Sequence, residues 1–173
     1  MLIEIRRHSL KGKDEKKNVL SPEGIELARR IGAEEMRGKK FTFILTSGCF
    51  RTAQTVCAFA EGAGDFTVAR FKSCDALDSQ RMKEWGEYYK LHDANLVSCQ
   101  LVDEEARRMA DQYREELGAL TSDAHVLGAG HTPFIECSVF GMTGTIIRPL
   151  GECEGVILDY DGSKFVLVEE IRL

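Results

Sequence analysis

The sequence lacks the features that mark secreted, membrane-spanning, fibrous or disordered chains. No uncharged apolar run approaches the roughly 20 residues that a membrane span needs, and charges appear too early at the N-terminus for a signal peptide. Proline is scarce, with three in 173 residues, and there is no internal repeat, low-complexity segment or linker. Hydrophobic residues make up 43% and charged residues 29%, as in ordinary globular proteins. We expect one domain over residues 1–173, in the cytoplasm.

Cysteine pairs with metal-site spacing and an excess of basic charge are also missing. None of the six cysteines lies in a Cys-x-x-Cys pair, so we expect buried free thiols. The net charge of −5 argues against nucleic acid as a partner. Within residues 6–17, however, six basic residues face only Asp14 and Glu15. A local basic mouth on an acidic protein is suited to a small anion.

Short apolar strands alternate with amphipathic helical patterns along the chain. The predicted strands cover residues 2–7, 41–46, 66–71, 124–129, 154–160 and 164–170, and Asp161-Gly162 joins the last two in a hairpin. The first predicted helix begins after Ser21. Four more are predicted, over 49–62, around 79–91, over 103–118, and from about Thr132 to Phe140. This alternation predicts an α/β fold with a six-stranded, mostly parallel sheet and helices on both faces.

Cationic and imidazole side chains follow three of the predicted strands. Arg7 and His8 follow the first strand, Arg51 lies just after the second, and His131 follows the fourth. Ligands bind at the carboxyl ends of strands in such sheets. Two arginines and the N-terminal amides of a helix suit a phosphoryl group, and a neutral imidazole can attack phosphorus. A cationic second histidine could donate to an equatorial oxygen, so no metal or cofactor is required.

These residues resemble the signature of the histidine phosphatase superfamily, also called phosphoglycerate-mutase-like. The resemblance covers Leu2 to about Glu170 in order and spacing, and it rests on Arg7-His8-Ser9, Leu20-Ser21-Pro22-Glu23-Gly24, Ser47-x-x-x-Arg51-x-x-x-Thr55 and Gly130-His131. It implies a three-layer α/β/α sandwich and chemistry without a metal. It also implies that His8 is the phosphorylated nucleophile, with Arg7, Arg51 and His131 as the catalytic phosphate pocket.

The sequence departs from the family pattern at a few positions beside the first strand. Ser9 replaces the usual glycine, and Asp14 stands where many members carry asparagine. Glu4 and Arg6 lie on a side of the strand where members are usually apolar. These two residues either pair with each other or mark a strand that is less buried.

The leading interpretation is a phosphatase that hydrolyses phosphomonoesters or phosphohistidine, on a small molecule or a phosphoprotein. A phosphoglycerate-mutase-type phosphoryl transfer and an inactive phosphate-binding module are the alternatives. A metal site built on His125 and His131 fits no familiar zinc spacing. The oligomeric state and the proton donor for the leaving group stay open, with four candidate acids: Asp75, Asp78, Glu84 and Glu87.

Overall fold

Strands and helices alternate along the chain as the sequence predicts. The computed structural model describes residues 1–14, 18–65, 70–74, 77 and 100–173, with the backbone alone at 100–102. The strands are β1 (Leu2–Arg7), β2 (Phe43–Thr46), β3 (Phe71–Ser73), β4 (His125–Gly130), β5 (Gly155–Tyr160) and β6 (Phe165–Ile171). The helices are α1 (Pro22–Ile31, continued by a π-helical turn over Gly32–Met36), α2 (Phe50–Ala63), α3 (Gln100–Leu117) and α4 (Phe134–Thr143). In the part of the chain that the structure describes, no helix is long and apolar enough to cross a membrane.

The strands form one six-stranded sheet in the order β3-β2-β4-β1-β5-β6. β3, β2, β4 and β1 are parallel neighbours, whereas β5 pairs antiparallel with both β1 and β6. Among these strands β5 alone runs against the others, so the expectation of a mostly parallel sheet is confirmed. The parallel part brings the carboxyl ends of β1, β2 and β4 to one edge of the sheet.

Helices cover both faces of the sheet and give the expected three-layer sandwich. α3 and α4 pack on one face, where Tyr113 and Phe134 are fully buried against strand residues such as Ile5. α1 and α2 pack on the other face, where Phe59 is buried against Ile44. Burying apolar surface on both faces supplies most of the stabilisation of such a fold.

The third strand and the buried face of α2 differ in detail from the prediction. β3 begins at residue 71, where the predicted strand ends, and residues 66–69 lie outside the described part of the chain. All three β3 residues are exposed, so backbone pairing with β2 fixes this edge strand without an apolar pattern. The helical spacing of Ala53, Val56, Cys57 and Ala60 predicts that these residues form the buried face of α2, but the buried residues are Thr52, Thr55, Val56, Ala58, Phe59 and Ala63. Two buried threonines that hydrogen-bond to backbone groups displace the face from the one that hydrophobicity indicates.

The charged pair on β1 belongs to a buried ion cluster. Arg6 is 1% exposed and donates to Glu4 and Glu35, each at 2.7 Å, and to the carbonyl of Cys153 at 3.0 Å. Lys39 donates to the second oxygen of Glu4 at 2.8 Å. Burial alone would raise the pKa of Glu4, but the charges and hydrogen bonds of Arg6 and Lys39 outweigh it and lower that pKa. The two β1 residues therefore pair with each other, and residues 3–6 of the strand are buried.

The thiols in the described residues are all free, as expected. Three of them are buried, Cys74, Cys137 and Cys153. The expectation of burial is wrong for Cys49, which is half-buried, and for Cys57, which is exposed. Cys49 directly precedes α2, and Cys57 lies within it. Cys99 and the helix predicted around 79–91 lie outside the described residues.

Candidate active site

The site is built where β1, β2 and β4 end side by side. The register pairs Arg7 of β1 with Gly130 of β4, and Thr46 of β2 with Ala129 of β4. The pairing continues beyond the end of β1, because the backbone N–H of His8 donates to the carbonyl of Gly130 at 2.9 Å. The residues that follow these three strands therefore meet at one edge of the sheet.

Two histidine rings lie against each other at this edge. The ring centroids of His8 and His131 are 4.9 Å apart in an edge-on arrangement, and each residue is 7% exposed. Nδ1 of His8 lies 2.6 Å from the carbonyl oxygen of Ser9. A carbonyl can only accept, so Nδ1 carries the proton and Nε2 of the neutral ring carries the lone pair. This tautomer is the one that a nucleophile acting through Nε2 requires.

Both imidazoles are neutral at neutral pH. Burial, followed by the charges of Arg51 and Arg7, lowers the pKa of His8 to about 4 despite the raising effect of the Ser9 carbonyl and Glu152. Burial, the neighbouring His8 and the same two arginines lower the pKa of His131 to about 3. Burial has the larger effect in both cases, since a charged ring loses hydration there.

A chain of hydroxyls fixes the orientation of His131. Nε2 of His131 lies 2.8 Å from the hydroxyl of Ser47, which lies 3.1 Å from the hydroxyl of Thr52. Thr52 donates its proton to the carbonyl of Cys49 at 2.7 Å, so it accepts from Ser47, and Ser47 accepts from His131. His131 therefore presents an N–H at Nε2. It can donate a hydrogen bond while neutral, and no cationic ring is needed in the substrate-free state.

Arg51 lies in the first turn of α2, beside this hydroxyl chain. Its Nε is buried and has no hydrogen-bond partner among the described residues. The tight turn before the helix needs Gly48, which has φ +75° and would bring an added Cβ within 2.6 Å of the Ser73 hydroxyl. The turn lets α2 start directly after β2, so that its first-turn guanidinium lies close enough to lower the pKa of both histidines.

Arg7, the second arginine of the site, is partly occupied. One terminal nitrogen donates to the carbonyl of Leu150 at 2.7 Å, and the other donates to Glu152 at 2.9 Å. The buried Nε of Arg7 has no partner in the described part of the chain. The two arginines therefore offer unpartnered donors beside His8, and among the described residues only Arg7 is paired with a carboxylate.

The serine that replaces the usual family glycine fits its place. Ser9 is fully buried, its hydroxyl donates to the carbonyl of Gly24 at 2.7 Å, and its N–H donates to Thr55 at 3.1 Å. Its φ is not positive, so this backbone position does not require glycine. Asp14, the other departure near the site, is exposed on the segment that follows.

Buried N–H donors beside two neutral rings are suited to an anion with several oxygens. A buried polar group without a partner is costly, and phosphoryl oxygens are acceptors suited to guanidinium donors. His131 supplies another donor when its Nε2–H exchanges the Ser47 hydroxyl for an oxygen of the anion. Within the described ranges, no group of three or more His, Cys, Asp or Glu side chains could hold a metal ion. His125 begins β4, at the opposite end of the strand from His131, and its ring packs against Phe41 at a tilt of 48°, with the centroids 4.4 Å apart.

Sequence reasoning missed two residues that the structure brings to this edge. Glu152 contacts Arg7, and the buried hydroxyl of Thr132, next to His131, has no partner among the described residues. The signal for Glu152 was the antiparallel pairing of β5, which brings the start of β5 beside the end of β1. The acids proposed as proton donors, Asp75, Asp78, Glu84 and Glu87, lie outside the described residues.

The fold matches solved structures of the histidine phosphatase superfamily. A phosphoserine phosphatase from Entamoeba histolytica, in complex with 3-phosphoglyceric acid, has a TM-score of 0.68 at 13% identity, covering 99% of this chain and 97% of that one. The protein histidine phosphatase SixA, complexed with tungstate, has a TM-score of 0.67 at 14% identity, covering 99% of this chain and 96% of that one. A phosphoglycerate mutase from Bacillus anthracis has a TM-score of 0.66 at 10% identity, covering 99% of this chain and 92% of that one. On sequence, no family model and no curated protein matches the chain. The resemblance read from the motifs is thus confirmed at the level of the fold.

Proposed function

We propose that this protein is a metal-independent phosphatase that works through a phosphohistidine intermediate on His8. Arg7, Arg51 and His131 form the phosphate pocket around it. The proposed substrates are phosphomonoesters or phosphohistidine, on a small molecule or a phosphoprotein, and the proposed location is the cytoplasm. The arrangement of catalytic residues is supported by the geometry at the ends of β1, β2 and β4, and the class of reaction by the structural relatives.

The first step transfers the phosphoryl group to the protein. The lone pair on Nε2 of His8 forms the N–P bond, while the bond between phosphorus and the leaving atom breaks. The leaving group takes that bonding pair and is protonated. Negative charge on the three equatorial oxygens is met by the guanidiniums of Arg7 and Arg51 and by the Nε2–H of His131, which exchanges the Ser47 hydroxyl for a phosphoryl oxygen.

The second step returns the free protein. Water attacks phosphorus, the N–P bond breaks, and the bonding pair returns to Nε2 of His8 as inorganic phosphate forms. The proton that water loses passes to solvent or to the proton donor of the first step. Because the same donors meet the same equatorial oxygens, one pocket serves both steps.

The tautomer of His8 is the observation that carries the proposal. Its Nδ1–H is held by the Ser9 carbonyl at 2.6 Å, which leaves a lone pair on Nε2 in a ring with a pKa of about 4. A histidine with only a structural role has no need of two arginines with unpartnered Nε donors around it. Neutral nitrogen beside fixed cations is the arrangement that attack on an anionic phosphoryl group needs.

Hydrolysis of an aryl phosphate tests the proposal, with His8→Ala as the variant. His125→Ala is the matched control, because it removes a histidine from the opposite end of β4. We expect turnover by the wild type and by His125→Ala, no turnover by His8→Ala, and no change on adding a chelator. Inactivation by the chelator would contradict the proposal that the reaction needs no metal. Phosphate binding without turnover of any phosphate ester would favour the inactive binding module.

A further inference from the structure

Glu152 is a charged residue at the phosphate pocket that the proposed reaction does not use. Its carboxylate lies 2.9 Å from a terminal nitrogen of Arg7, with side-chain exposures of 35% for Glu152 and 23% for Arg7. The pair therefore lies at the mouth of the site and is open to solvent on one side. The charge of this carboxylate also acts on His8, because it raises the pKa of that ring.

The segment that carries Glu152 is held in place from several directions. The N–H of Leu150 donates to the buried Glu136 at 2.9 Å, and the N–H of Gly151 donates to Glu154 at 2.7 Å. Arg172 donates to Glu154 at 2.9 Å and to backbone carbonyls of the same segment. These hydrogen bonds fix the segment, so the carboxylate of Glu152 is preorganised beside Arg7.

The two arginines consequently differ in how their charge is compensated. Arg7 has Glu152 as a partner, whereas Arg51 has no carboxylate partner within the described residues. A phosphoryl dianion brings its own negative charge to both guanidiniums. A second anionic group on the substrate, next to the phosphoryl group, would meet the carboxylate of Glu152 and be repelled.

We propose that Glu152, held against Arg7 at the mouth of the pocket, is a specificity-determining residue. It favours phosphoryl groups on neutral or cationic leaving groups, such as imidazole, and disfavours substrates with a carboxylate close to the phosphoryl group. This inference rests on the proposed function and narrows its substrate class to phosphohistidine-like compounds. A phosphoimidazole carries no second anion, and its ring becomes cationic on protonation.

Three substrates and one isosteric variant test the inference. We compare kcat/KM in the wild type and in Glu152→Gln for three substrates: phosphoimidazole, an aryl phosphate whose aryl group is uncharged, and 3-phosphoglycerate. We expect the preference for phosphoimidazole over 3-phosphoglycerate to fall about tenfold in the variant, mainly through faster turnover of 3-phosphoglycerate, since a unit charge at about 5 Å acts on this scale in a partly exposed site. The exposed Glu169 of β6 provides the control, and Glu169→Gln should leave the ratio unchanged.

Binding measured without turnover keeps this test separate from the proposed function. In a His8→Ala background, calorimetry compares the affinity for 3-phosphoglycerate with that for phenyl phosphate, with Glu152 and with Gln at 152. We expect Glu152→Gln to tighten 3-phosphoglycerate binding about tenfold relative to phenyl phosphate. An unchanged ratio, or an equal loss for all ligands as expected if Glu152 only orients Arg7, would overturn the inference. Absence of turnover in the wild type would contradict the proposed function alone.

Discussion

Arg6 and Arg7 are neighbours on β1, yet the regions around them differ in how their charges are satisfied. Arg6 points to one face of the sheet, where two carboxylates and a carbonyl satisfy its guanidinium. Arg7 lies at the strand end, where its terminal nitrogens bind Leu150 and Glu152 but its Nε has no partner among the described residues. The Nε of Arg51 likewise has no partner there. The first region, with Glu4, Glu35 and Lys39, is the structural ion cluster.

This difference separates a structural role for Arg6 from the functional role that we propose for Arg7. A buried charge that only supports the fold must be compensated inside the protein, because its loss of hydration is costly. Donors left without partners are costly too, and beside the two histidines a ligand with several oxygens could satisfy them. We therefore expect substitutions in the structural ion cluster to change stability, and substitutions in the pocket to change turnover.

Removing one partner from the structural ion cluster should give the largest loss of stability. Glu4→Gln leaves the buried charges of Arg6 and Lys39 undercompensated, and we expect the free energy of unfolding to fall by about 3–5 kcal/mol. Chemical denaturation measures this change. Glu61→Gln is the control, because its ion pair with Arg29 is exposed and should contribute about 0–1 kcal/mol. Equal losses in the two variants would contradict the structural role of the cluster.

Replacing the pocket arginine that has no carboxylate partner should have the opposite signature. Arg51→Lys keeps the charge but loses the planar fork, and we expect turnover to fall about 10²–10³-fold with little change in stability. Steady-state kinetics and thermal unfolding separate the two effects. Arg29→Lys, an exposed change on α1, should behave as the wild type. Near-normal turnover by Arg51→Lys would remove this residue from the pocket.

The hydroxyl that orients His131 should have a smaller effect. Ser47→Ala removes the acceptor for Nε2–H but leaves the ring in place, and one hydrogen bond contributes about 1 kcal/mol. We expect turnover to fall about fivefold, with kcat changing more than KM. The exposed Ser163 in the β5–β6 hairpin offers the control variant Ser163→Ala. A larger loss of stability than of turnover would assign Ser47 to the fold instead.

Mild acid should have the smallest effect on the pocket. His8, with a pKa of about 4, stays neutral as the pH falls from 7 to 5, whereas a free imidazole near 6.5 would be mostly charged at pH 5. NMR titration of the His8 ring in the free protein measures this directly. Since the unfolded chain binds the proton first, stability should fall as the pH drops below about 6.5. A His8 midpoint near 6.5 would show that burial and the arginines do not act as described.

The sequence was sufficient to predict the fold and to bring the four principal residues to one edge. His8 and His131 follow strands that can be recognised from their apolar runs, and parallel strands end together. The sequence did not indicate Glu152, because this residue belongs to no motif and is placed at the site by the antiparallel pairing of β5 with β1. The predicted face of α2 is wrong because it omits Phe59 and Ala63, and because Thr52 and Thr55 are buried through hydrogen bonds that hydrophobicity does not record.

Trapping the covalent intermediate is the most direct test of the central claim. Rapid quenching during turnover should leave a phosphate on the peptide that contains His8, and the adduct should decay in acid and survive alkali. Protonation of a phosphoramidate makes imidazole a good leaving group, whereas phosphoserine is stable in acid and eliminated by base. The adduct should be absent from His8→Ala. An acid-stable adduct on Ser9 or Ser47, or full turnover by His8→Ala, would contradict the account even if the protein hydrolyses phosphate esters.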